Sequence, residues 1–230
     1  MIKIENTEVF GWEAAIRGMR NPMNSWGKSD SRWLTGLDEY EEEVPVFEIG
    51  ENDLKLMQQL SKAGSDHGKF LRMINVTCDI TSSLYFFKEF DTYKVGTVAN
   101  SCSTMHKSHA KEFTLDDFSH EHLDEYEESL EVLKTVIKAL NEVREIYVNG
   151  YVGKHYAIPI GVKDYWWQMI QLLPSSYNQR RTVQLNYQVL KSMYFARKNH
   201  RLDEWHTLCD WMLTLPYFKE IVIEPMEGKA

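Results

Sequence analysis

The chain has 230 residues, 43% of them hydrophobic, 13% aromatic and 26% charged, a composition that builds a folded core and excludes intrinsic disorder. A formal charge of −8 provides no general attraction for polymeric nucleic acid, although a small anion can still be held by a few well-placed basic side chains. Cys78, Cys102 and Cys209, odd in number and widely spaced, exclude a disulfide framework and suit a reducing compartment.

No apolar run approaches the ~18 residues of a membrane span, and the opening MIKIENTEVFGW lacks a basic-then-apolar leader pattern. A cytoplasmic protein with no membrane partner is expected. The length suits one domain over 1–230, and no repeat or linker divides it.

In chain order, residues 21–30 are rich in Pro, Gly, Asn and Ser and read as a loop, and Glu41–Glu43 with Pro45 reads as an exposed connection. Residues 52–63 open on Asn52 as an N-cap and align Leu54, Met57, Leu60 and Ala63, which predicts a helix. Residues 73–80 alternate, with Ile74, Val76, Cys78 and Ile80 on one side, which predicts a strand. Residues 84–90 are dense in aromatics and fit either a buried helix or a strand.

Leu130, Leu133, Val136, Ile137, Leu140, Val143 and Tyr147 recur at helical spacing and predict a helix over 129–147. Further helices are predicted over 164–173 (stopping at Pro174), 182–198 and 200–215. Long helices with few strands imply an α/β (α+β) fold in which helices pack on a small, mostly antiparallel sheet.

His106, His109, His120 and His122, with Cys102 nearby, match no strong zinc spacing, and their polar surroundings read as a solvated loop, so no metal is assigned. Cys102 itself is expected to be a buried, inert thiol.

The most informative stretch is 173–205. In a helix over 182–198, Asn186, Leu190, Met193 and Arg197 fall on one stripe with a polar group at each end, and Arg180 and Arg181 lie just before the helix. Guanidinium forks near a helix N-terminus suit a phosphate. The same residues also fit a structural use, with Asn186 and Arg197 bonding to loops and the two arginines solvated.

This stretch resembles the C-terminal half of flavin-dependent thymidylate synthases, which carry a Leu-Pro, an Arg six residues after the Pro and an Asn twelve after it. A further Arg and a Trp follow. Pro174, Arg180, Asn186, Leu190, Arg197 and, with one inserted residue, Trp205 take those places.

Upstream, residues 51–66 resemble the family's helix leading to a histidine, here His67, and Lys88-Glu89-Phe90 stands for its Arg-Gln-Trp. The signature R-H-R-x2-S-x-N-x2-S-x-R falls on Thr92, Tyr93, Lys94, Thr97, Ala99, Cys102 and Thr104, where only Lys94 keeps a charge. Gly96, Thr97, Ser101, Ser103 and Thr104 still offer hydroxyl and backbone donors for a phosphate.

The resemblance implies the fold of thymidylate synthase-complementing proteins and a homotetramer. It also implies FAD as cofactor, with methylenetetrahydrofolate and NADPH as co-substrates, acting on a dUMP-like pyrimidine nucleotide. It places Arg180, Arg197, Glu89 and Thr104 at the substrate, and His67, Tyr93, Lys94 and Asn186 at the flavin. The lost signature arginines favour the alternative, a non-catalytic nucleotide-binding or assembly protein of the same fold.

Overall fold

The computed structural model describes residues 2–37, 40–105, 107–123, 125–152 and 156–228, and among these it forms eight strands and eight α-helices. Strands β1 (Lys3–Phe10), β4 (Asn75–Ser83), β8 (Asn178–Asn186) and β5 (Val98–Ser101) form a four-stranded sheet in the order β1-β4-β8-β5. Helices and a small antiparallel sheet make up the fold, as the α+β reading expects.

Several expected elements form where the pattern puts them: α2 (Glu51–Lys62), α4 (Glu127–Asn149), α5 (Lys163–Leu172) and α7 (Asp203–Met212). The aromatic run becomes α3 (Leu84–Phe90), because the Ser83 hydroxyl accepts a hydrogen bond from the Phe86 N–H and caps it at 3.3 Å.

Three expectations are corrected. Residues 182–186 belong to strand β8, and helix α6 covers only Tyr187–Arg197. In β8, Val183 and Leu185 are buried while Thr182 and Gln184 are exposed, the period of a half-buried strand. Glu43 and Pro45 lie in strand β3 (Glu43–Glu48), paired antiparallel with β2 (Arg32–Leu37), so no loose connection occupies Pro45. Asn52 is not the cap of α2: Gly50 holds that position, and the Asp30 carboxylate accepts from the Asn52 and Asp53 N–H groups at 2.9 and 3.1 Å. A Cβ at Gly50 would collide with the Asp30 side chain, so this close approach requires glycine.

The chain divides into two compact units. One comprises Met1–Glu5, Asp79–Thr92 and Ala99–Thr182; its core joins Phe113, Phe118, Leu133, Ile137, Leu140 and Met169, from α4, α5 and the segment before them. The other comprises Asn6–Cys78, Tyr93–Val98 and Val183–Ala230. Here the ring of Tyr187, at the start of α6, packs edge-on against Trp12, which opens helix α1 (Trp12–Arg20), and against Phe218. The Tyr187 hydroxyl donates to the Pro216 carbonyl at 2.7 Å, and burial raises its pKa.

The second unit also buries an ion pair. Arg20 and Asp53 are 4% and 0% exposed, with Arg20 Nε 2.6 Å from Asp53 Oδ1. Asp53 Oδ2 accepts from the hydroxyls of Ser29 and Ser31 at 2.7 Å each, and from the Asp30 and Ser31 N–H groups at 3.1 Å each. Burial disfavours the Asp53 carboxylate, but the bonds from Ser31, Ser29, Arg20 and the Asp30 backbone outweigh it and hold the carboxyl below its usual range.

Removing that charge leaves a buried guanidinium uncompensated. Asp53→Asn is expected to cost about 3–5 kcal/mol, lowering Tm by roughly 10 °C in a calorimetric scan at neutral pH. Because the folded carboxyl binds protons less readily than the unfolded one, its contribution is complete above about pH 3.9 and is lost as pH falls through the folded pKa. The stability difference between wild type and Asp53→Asn therefore shrinks in acid.

Candidate functional site

Asn186 ends strand β8 with extended backbone (φ −131°, ψ 164°), and its side-chain oxygen accepts from the Val189 N–H at 3.0 Å. It is the N-cap of α6, a use its short polar side chain favours. It is 8% exposed. Leu190 and Met193 follow on the helix, both fully buried, and Arg197 closes its last turn. The expected stripe survives within α6, with its two polar ends about 16 Å apart along the helix.

At the C-terminal end of α6, Arg197 Nε donates to the Tyr93 hydroxyl at 3.0 Å. Its guanidinium carbon lies 5.7 Å from the Tyr93 ring centroid and 4.9 Å from that of Trp205, a fully buried side chain. The Tyr93 and Trp205 rings meet edge-on at 5.9 Å. A cation against two aromatic faces gains charge–quadrupole stabilisation, and Arg197 stays half-buried.

The loop after Tyr93 returns to the other end of the helix. Gly96 has φ +81°, and a Cβ there would stand 2.8 Å from Asn186 Nδ2. Its neighbour Thr97 has a buried hydroxyl with no hydrogen-bond partner among the described residues. Lys94, between them and Tyr93, is exposed. His67 is also exposed and precedes Gly68, at which a Cβ would come within 3.9 Å of Gln188 Oε1 in the first turn of α6. Tyr93, Lys94, Asn186, Arg197 and His67 therefore all lie along α6 in the second unit.

The first unit holds Arg180, Glu89 and Thr104. Arg180 lies on strand β8, not beside a helix N-terminus, so the helix-dipole argument for anion binding does not apply to it. Its Nη2 donates to Asp79 Oδ2 at 2.7 Å, and Thr182 Oγ1 donates to Asp79 Oδ1 at 2.5 Å. The hydrogen bond and charge of Asp79 raise the Arg180 pKa further, keeping a half-exposed guanidinium charged.

Arg181, expected to be solvated or phosphate-binding, is 13% exposed and spent on protein partners. Its guanidinium carbon sits 3.9 Å from the centroid of the Phe87 ring, Nε donates to Gln179 Oε1 at 2.9 Å, and Nη1 donates to Asp91 at 2.7 Å. Glu89 is half-buried on α3, with its carbonyl accepting from the Thr92 hydroxyl at 2.7 Å. Thr104 is half-buried in the turn after β5.

Cys102 is exposed, against expectation, because it leaves the end of β5; Gln179 Nε2 donates to its carbonyl at 2.7 Å. Cys78 and Cys209 are buried, and burial pushes the Cys209 thiol up to about 11. His106 lies outside the described residues; the His109 ring packs on Tyr147 at 5.0 Å. Among the described residues no three metal-binding side chains converge. Arg20 is paired with the buried Asp53, and the exposed Arg32 lies 3.3 Å from Glu48. Asp79 and Asp91 were not singled out by sequence, since an acid opposite an arginine some 100 positions away leaves no local pattern, whereas Thr97 was expected among the hydroxyl donors.

The sequence matches no family model and no curated protein. Solved structures do resemble it. One is thymidylate synthase X (ThyX) from Helicobacter pylori with FAD and dUMP, at TM-score 0.65 and 13% identity, covering 99% of this chain and 100% of that one. Another is the flavin dependent thymidylate synthase ThyX from Helicobacter pylori complexed with FAD and dUMP, at TM-score 0.63 and 11% identity, covering 97% and 99%. The chain has the ThyX fold.

If Asn186 acts as the cap of α6, Asn186→Ala is expected to destabilise the protein by about 1 kcal/mol, and Asn186→Ser, which keeps an acceptor, by only a few tenths. The urea midpoint reads this directly; equal losses in both variants would remove the capping role.

Proposed function

We propose that the chain binds a flavin and a dUMP-like pyrimidine nucleotide, as a homo-oligomer, and transfers a one-carbon unit to the base. The observation that carries this reading is the fold likeness over nearly the whole chain to two structures of Helicobacter pylori ThyX solved with FAD and dUMP. The residues fit a phosphate-bearing cofactor in one respect: Thr97 has a buried hydroxyl without a partner, beside a glycine at positive φ and the exposed Lys94. An unspent buried donor of this kind needs a partner, and a phosphate oxygen supplies one. Lys94 and Thr97 are accordingly assigned to the cofactor, with Tyr93 and His67 bordering them.

Bound flavin would supply hydride chemistry, with methylenetetrahydrofolate as carbon donor and NADPH as reductant. The chain's own contribution is positioning. Asp79 holds Arg180 by one terminal nitrogen, which leaves the rest of its five-donor fork for an anionic group. Tyr93 and Trp205 fix the guanidinium of Arg197 beside two aromatic surfaces that exclude water from one side of it. Asn186 keeps its place as cap and orders the loop bearing Gly96 and Thr97. Glu89 and Thr104, in the same unit as Arg180, are assigned with it to the nucleotide.

A second reading, a non-catalytic nucleotide-binding or assembly module, is favoured by one specific observation. Arg180 and Arg181 each carry a carboxylate partner, Asp79 and Asp91, so their net charge toward an anion is reduced.

The purified protein titrated with FAD and then dUMP distinguishes the two. The catalytic reading expects a flavin absorbance band that shifts on adding dUMP, and at least a tenfold weaker dUMP response in Arg180→Ala with flavin uptake intact. Nucleotide binding without flavin uptake supports the second reading, and neither event overturns both.

A further inference from the structure

Strands β2 and β3 pair with each other and, among the described residues, with no other strand. Isolated two-stranded ribbons are marginal in water and gain stability from a third strand or an apolar cover. Both faces of this one are largely exposed and carry apolar side chains: Trp33, Leu34, Leu37 and Val46 are 55%, 39%, 67% and 45% exposed.

The two outer edges are not equivalent. Pro45 sits in the middle of β3 opposite Thr35. Having no N–H, it keeps every ladder bond only if Thr35–Pro45 is a non-hydrogen-bonded pair, with Pro45 facing outward. The β3 edge is thereby blunted. By the same alternation, the N–H and C=O groups of Trp33, Thr35 and Leu37 point away from β3, along the outer edge of β2.

We infer that this edge pairs with the same edge of a second copy of the chain, antiparallel about a two-fold axis at Thr35. Edge pairing of this symmetry sets residues of like parity opposite one another. Thr35 meets Thr35 of the second copy, and Trp33 meets Leu37 of the second copy, twice over. All three outward-facing residues of each strand then exchange hydrogen bonds, about six in all. One face becomes a continuous ladder of aromatic–aliphatic and Thr–Thr pairs, which are favourable cross-strand neighbours.

The electrostatics permit the same partner. The chain carries −8 overall, so two copies repel across most of their surface, but residues 33–37 carry no charge. The one charge of β2, Arg32, already has Glu48 at 3.3 Å, and the two-fold holds the two copies of Arg32 about 20 Å apart. The contact is confined to one short strand edge, so the pairing is expected to depend on protein concentration. It stands independently of any flavin or nucleotide.

Sedimentation of the whole protein across a micromolar concentration series tests it, with Thr35→Lys and Thr35→Glu as variants. Thr35 is exposed, so both variants still fold, with an unchanged far-UV circular dichroism spectrum. Each alone places like charges directly opposite one another and is expected to weaken self-association at least tenfold, giving half the assembly mass at matched concentration. A one-to-one mixture of the two variants restores it. A wild type that shows no association, variants of unchanged assembly mass, or a mixture that fails to reassemble would each overturn the pairing.

Discussion

The fully buried carboxylate of Asp53 is the constraint around which the second unit is arranged. Its two oxygens take five hydrogen bonds, from the end of α1 through Arg20 and from residues 29–31 through two hydroxyls and two backbone N–H groups. Residues 21–31 have no core of their own, yet they are pinned because an ionised oxygen pair at this depth tolerates no vacancy among its donors. The pinned loop delivers the Asp30 side chain to the N–H groups that open α2, and passes directly into β2 at Arg32. The end of helix α1 and the starts of helix α2 and of the exposed ribbon are thus tied to one charge.

The polar residues along α6 follow a similar logic. Asn186 is buried and spent on the helix N-terminus, and the same side chain forces glycine at position 96 by proximity. Tyr93 accepts from Arg197 and stacks with it against Trp205. These groups shape a surface first; in the proposed reading, recognition falls to neighbours whose bonding capacity is still open, notably Thr97. Spending strong hydrogen-bonding residues on support is how a site keeps its geometry, since a side chain whose own partner is fixed cannot drift by the ångström that weakens binding.

The helices with long apolar stripes were legible because their spacing is redundant: α4 shows seven apolar positions in register, and no competing pattern overlaps them. The β8–α6 boundary was not, because Val183, Leu185, Val189 and Leu190 satisfy a helical spacing as well as a strand followed by a helix. The signal that separates the two is Asn186 itself, an N-cap residue in the middle of the apparent helix, preceded by the alternation of Thr182–Leu185. Strand β1 hides for a different reason: KIENTEVF is mostly exposed and lacks a clean apolar side. Of the site, the arginine and asparagine positions were visible as spacings, but their partners Asp79 and Asp91 depend on strand pairing and helix placement that no local window contains.

The pairing of Arg180 with Asp79 bears on what kind of ligand this surface can select. In a chain of net charge −8, an anion is not drawn in by the overall field, and each β8 arginine has given part of its charge to a carboxylate. What the carboxylate removes in attraction it returns in orientation, for a guanidinium anchored through one nitrogen presents its remaining donors in a fixed plane. Such a group discriminates by geometry more than by charge. It favours a ligand whose acceptor oxygens match the fork while the rest of the molecule makes its own contacts, and disfavours a diffuse polyanion that relies on the field. Under the proposed nucleotide-binding reading, charge, strand position and donor geometry would therefore favour a compact, singly presented anionic group at Arg180.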